Sequence, residues 1–126
     1  MKREIIAGGL LLFLIAGSLL NIRRVEVLTE TVAACALRSE RHAARGDFEA
    51  ALKALDQGLE IWDKAHGYTN VFIRHPELDA AYEAFYDIRA VLLQKDEEAV
   101  PGAYAKLLYR LDCMAFMERL SAGSIF

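Results

Sequence analysis

An uninterrupted apolar run, Ile5–Ile22 with the sequence IIAGGLLLFLIAGSLLNI, constrains this chain more than any other feature. Its eighteen residues, at about 1.5 Å each in a helix, reach about 27 Å, close to the ~30 Å hydrocarbon core of a bilayer. Lys2-Arg3-Glu4 precedes the run and Arg23-Arg24 follows it. Gly8, Gly9, Gly17 and Ser18 are tolerated inside a membrane helix. The pattern predicts a transmembrane anchor over residues 1–24 and a helical bundle domain over residues 25–126. A secretory signal peptide shares the basic start and apolar middle. Ile15-Ala16-Gly17 matches its cleavage site poorly, however, and Leu19-Leu20 prolong the run. An uncleaved anchor is therefore favoured. Basic residues nearly balance across the span; Lys2-Arg3 on a very short tail tips the N-terminus inward and the bundle outward.

Past the anchor, the balance of charge excludes one class of partner. Four bases against Glu4 give the first 24 residues a charge of +3. The remaining 11 bases and 17 acids then carry −6. A surface of that sign does not attract phosphate backbones, and no Lys/Arg run interleaves with aromatics, so nucleic acid is not an expected partner. With 55% hydrophobic residues and only two prolines, the composition favours an ordered helical domain.

Spacing then gives the elements. Leu28, Val32, Cys35/Ala36, Ser39 and Ala43 recur every three to four residues, a stripe of mostly small side chains. Nothing breaks the helix between Arg24 and Leu28, so anchor and first bundle helix are expected to be continuous. Arg45-Gly46 reads as its end and Asp47 as the N-cap of a helix from Phe48 to about His66. The stripe of that second helix is Phe48, Ala51/Leu52, Leu55, Leu59, Trp62 and His66. A turn this short folds it back against the first. After a break at Gly67–Asn70 and the short apolar piece Val71-Phe72-Ile73, His75-Pro76-Glu77 starts a third helix that ends near Lys95. Leu78, Ala81/Tyr82, Phe85, Ile88/Arg89 and Leu92 are its buried stripe. Pro101 delays the last helix, which is expected from Pro101 to about Leu120. Its apolar positions are Tyr104, Leu107/Leu108, Leu111, Met114/Ala115 and Met117, with Ser121–Phe126 as a tail. No strand alternation is seen. The fold class is all-α, an N-terminal transmembrane helix followed by an antiparallel four-helix bundle.

Chemistry-bearing motifs are sparse. His42, His66 and His75 form neither HExxH nor paired ExxH, and no metal site or cofactor is predicted. Cys35 and Cys113 have no metal-ligand spacing and no evident base; they read as small buried residues, with a disulfide possible in an exported domain. There is no GxSxG and no phosphate-binding glycine loop in the soluble part. An enzyme is not expected. The distinctive feature is aromatic: Trp62, Tyr68, Phe72, Tyr82, Phe85 and Tyr86 gather around the second connection. Most belong to a bundle core. Tyr82, Phe85 and Tyr86 cannot all face one way on a helix, however, so at least one should reach a groove or the surface. Trp62, Phe72, Tyr82, Phe85 and Tyr86 are the candidate face for a partner or ligand.

Two resemblances follow from these residues. Arg45-Gly46-Asp47-Phe48-Glu49-Ala50-Ala51-Leu52 resembles the turn and second helix of a tetratricopeptide unit, but no second unit appears at the ~34-residue period. The whole chain, through the KRE-apolar start, GDFEAALKALDQGLEIWDK, VFIRHPELD and the terminal SIF, resembles an uncharacterised domain-of-unknown-function family. Its members are small, single-span membrane proteins of spore-forming Gram-positive bacteria. Pro101-Gly102 departs from the unbroken last helix of that family. The resemblance implies a membrane-anchored helical protein and brings no activity with it. The expected role is a non-enzymatic, membrane-tethered module that docks a membrane or envelope protein. The alternative is a ligand-sensing bundle with a cavity lined by Trp62, Phe72 and Phe85.

Overall fold

A computed structural model describes the backbone of residues 1–68 and 75–125, and the side chains of all of these except 66–68, 75–78, 118 and 121–125. The described residues form four helices and no strand: α1 (Lys2–Ala44), α2 (Phe48–Tyr68), α3 (His75–Gln94) and α4 (Val100–Ile125). The fold is all-α.

The 43 residues of α1 extend about 64 Å. The helix runs through residues 21–26 without a break, so the apolar run and the first core stripe share one axis. Burial begins at Val25 and continues through Leu28, Val32, Cys35, Ala36, Ser39 and Ala43. The helix ends as its sequence dictates. Gly46 takes φ 80°, the left-handed region open to glycine. The Asp47 N–H donates to His42 O at 3.0 Å and the Gly46 N–H to Ala43 O at 3.0 Å, the paired bonds of a Schellman cap. Asp47 then starts α2, its Oδ1 accepting the Ala50 N–H at 3.1 Å.

Small residues set how closely α1 and α2 lie. Cys35, Ala36 and Ser39 face Ala51, Ala54 and Gly58, and a β-carbon added at Gly58 would stand 3.1 Å from Cys35 Cβ. The large side chains go to the middle of the bundle, where Leu55 and Trp62 of α2 meet Phe85, Ile88 and Leu92 of α3 and Tyr104, Leu107 and Leu111 of α4. Fully burying such side chains contributes about 1.5–3 kcal/mol each, which makes this the chief source of stability.

The end of α3 repeats the cap of α1 with a costlier residue. Lys95 takes φ 55°, the Asp96 N–H donates to Val91 O and the Lys95 N–H to Leu92 O, both at 3.2 Å. The turn expected before the last helix is present, and α4 starts one residue ahead of Pro101. In the first turn the missing proline N–H has no helical partner to lose. At the other end α4 runs past Leu120 to Ile125, where a tail was expected. Ser121, Ala122 and Ser124 are compatible with a helix, and Gly123 does not interrupt it. Met117, the last of the apolar positions, is exposed. Six residues past Leu111, it is turned about 120° away from it.

Each helix packs on two others, α1 on α2 and α4, and α3 on α4 and α2. Polar contacts record the register. Arg38 reaches Gln57 at 2.8 Å and Ser39 reaches Ala51 at 2.6 Å. Asp56 pairs with Arg89 at 3.2 Å and Asp63 with Tyr82. Along α1 and α4, Ser39 meets Tyr104 at 2.5 Å and Glu26 meets Arg119 at 2.6 Å. In these contacts numbers rise on one helix as they fall on its neighbour.

Candidate functional site

The structure divides the candidate aromatic face between the core and the surface. Trp62 and Phe85 are each 1% exposed and sit in the central cluster, so neither can be presented to a partner. Their phase accounts for it: Trp62 lies seven residues after Leu55, and Phe85 seven before Leu92, all on core-facing stripes. The Trp62 indole N–H finds no acceptor among the described residues. Tyr82 is half-buried against the core, and its phenol donates a hydrogen bond to Asp63 of α2. Burial, then that bond and the Asp63 charge, push the Tyr82 phenol well above its ordinary range. Tyr86 is 57% exposed. Phe72 lies outside the described residues, as does the piece Val71-Phe72-Ile73.

Tyr86 does not stand alone on its face. Leu93, seven residues on, is 63% exposed, and Ala90 lies between them on the same side of α3. A second outward stripe lies on α4, where Tyr109, Cys113, Phe116 and Leu120 follow at spacings of four, three and four. Tyr109, Phe116 and Leu120 are all more than half exposed, and Cys113 is half-buried. This stripe is directly opposite the Tyr104–Leu107–Leu111 core face. Reasoning from spacing missed it because α4 is apolar on both sides. Cys35, by contrast, is buried at the α1–α2 contact, and both cysteines are free thiols.

One polar cluster is fully enclosed. Ser39 Oγ donates to Ala51 O at 2.6 Å and lies 2.5 Å from Tyr104 Oη, whose proton then points to the serine oxygen. Three helices meet at this point. Burial raises the Tyr104 phenol above its ordinary range, more than its bond to Ser39 lowers it. A closed network of this kind has no room for substrate.

The cavities lined by described residues include two between helices. One, of about 240 Å³, lies between α1 and α4 under the Glu26–Arg119 pair, with Glu30 and Asp112 on its walls. The other, about 70 Å³, lies between α3 and α4 beside Asp87 and Lys106. Both are smaller than the ~300–1,000 Å³ of ordinary ligand sites. Neither touches Trp62 or Phe85, so they give no support to the expected ligand cavity. Among the described residues no three His, Cys, Asp or Glu side chains converge as metal ligands. The side chains of His66 and His75 lie outside those described.

α1 is long and apolar enough to cross a membrane, and none of its apolar window is buried. Comparison with family models, with curated proteins and with solved structures returns no match.

Proposed function

We propose that the chain is a non-enzymatic, membrane-tethered helical bundle that docks an envelope protein on the outward side of the membrane. The observation that carries the reading is Tyr86 with Leu93, two exposed apolar side chains one heptad apart on the outer face of α3. They stand on a bundle whose first helix is continuous with a membrane-length apolar segment. Exposed aromatics flanked by aliphatic side chains are the usual anchors of protein interfaces. Tethering supports a weak interface by raising its effective concentration, to the millimolar range for short linkers. The −6 charge of the segment after the anchor suits a partner with a basic rim.

The test is site-specific photocrosslinking in intact membranes, with the photoreactive residue at position 86 and, as control, at Glu98 in the distal turn. A discrete heavier adduct is expected from position 86 only, and Leu93→Ala should weaken it. If positions 86 and 98 behave alike, the docking face is not on α3.

A further inference from the structure

We propose that the C-terminal end of α4 is seated in the interfacial layer of the same membrane that α1 crosses, so that the bundle touches lipid at a second point. The inference rests on the anchor reading above and goes beyond it.

The register fixes the depth. Arg119 stands level with Glu26, 2.6 Å away. Ile22, the last residue of the apolar run, is four residues below Glu26, or about 6 Å. Leu120 therefore lies about 5 Å above the end of the run, and Met117 about 9 Å above it. The polar layer of a bilayer occupies roughly 5–8 Å on each side of the hydrocarbon. From Arg119 the α4 backbone continues to Ile125, about 9 Å further down, which takes its last turn past the level of Ile22.

The chemistry of this end agrees with its position. Leu120 is 53% exposed and Met117 38%, with Phe116 beside them at the rim. The seven residues Leu120–Phe126 carry no charged side chain. Arg23 and Arg24 lie at the same level on α1, exposed, where basic side chains meet lipid phosphates. On α1 itself, Ile15, Ser18 and Ile22, the continuation of the Val25 face, are partly covered, while most of the apolar run is exposed. Met, Leu and Phe on a helix end with an arginine-rich collar suit the headgroup boundary.

The experiment uses the full chain in vesicles of phosphatidylcholine and phosphatidylglycerol. In a Cys113→Ser background, with buried Cys35 left in place, a nitroxide is attached in turn at Leu120→Cys, Met117→Cys, Leu10→Cys and Glu98→Cys. Collision with oxygen, which concentrates in lipid, is compared with collision with a water-soluble nickel chelate. The oxygen-to-nickel ratio at position 120 is expected to be several-fold above that at 98 and nearer to that at 10, with position 117, just outside the polar layer, between 120 and 98. A ratio at 120 and 117 equal to that at 98, with a high ratio at 10, overturns the proposal and leaves the anchor standing. A low ratio at 10 overturns both. Protection of 120 and 117 from both collision partners would mean a protein contact, and would also overturn it.

Discussion

The hydroxyls of Ser39 and Tyr104, 65 residues apart in sequence, lie 2.5 Å from each other in the interior, and Ser39 also caps a carbonyl of α2. Neither oxygen reaches water, so removing one has different consequences from removing the other. Tyr104→Phe leaves Ser39 bonded to Ala51 and should cost about 1 kcal/mol. Ser39→Ala strands a buried phenol and should cost more, within about 1–3 kcal/mol. The double variant should lose less than the sum of the two. Urea unfolding of the detergent-solubilised chain, followed through Trp62 fluorescence, measures all three.

Alkaline pH should weaken the bundle through the same phenol. Burial favours the neutral form of Tyr104 in the folded state, and Tyr82 is held up by burial and by Asp63. Below the ordinary phenol value of ~10 both states are protonated and the stability is complete. Above it the unfolded chain releases its protons first, so it binds fewer than the folded chain and stability falls as pH rises. Unfolding midpoints between pH 8 and roughly 11 should show this decline. Tyr104→Phe and Tyr82→Phe should each make it shallower.

The two Schellman caps should respond in opposite directions. Gly46→Ala forces a β-carbon into a left-handed position and should cost about 1 kcal/mol. Lys95→Gly removes that same penalty from the end of α3 and should gain a comparable amount. Thermal unfolding of the two variants decides the matter; a destabilised Lys95→Gly would contradict the cap geometry.

Gly58 should tolerate nothing branched. With Cys35 Cβ 3.1 Å from the site of a new β-carbon, Gly58→Val must push α1 and α2 apart, at about 1–3 kcal/mol. Cys35→Ala together with Gly58→Val should not restore stability, because Cys35 Cβ remains in both. The unfolding midpoint of the pair tests this.

Much of this architecture can be read directly from residue order. Gly46-Asp47 announces a helix end and the next helix start, and the small-residue stripe of α1 announces its close partner. The fate of the aromatics is harder to read. Trp62 and Tyr86 both look like candidates for a surface anchor, but only the heptad phase against Leu55 and Leu92 separates core from surface. In α4 the difficulty is physical, since a helix with apolar residues on opposite sides has no single phase, and Met117 falls outside the buried one. Lys95 carries no local signal of a left-handed residue. The close approach at Gly58 was hinted at only by a glycine in the middle of a helix.

The unbroken course of α1 through Arg24 has a mechanical consequence. A helix with no joint between its apolar segment and Val25 makes the tilt of one the tilt of the other. In a thinner bilayer a span leans further to hide its length, and in a thicker one it stands up. A lean of ten degrees at the anchor would swing the far end of the bundle, about 30 Å above Val25, through about 5 Å. With the apolar segment in a bilayer, the direction in which the bundle points would follow the thickness of that bilayer.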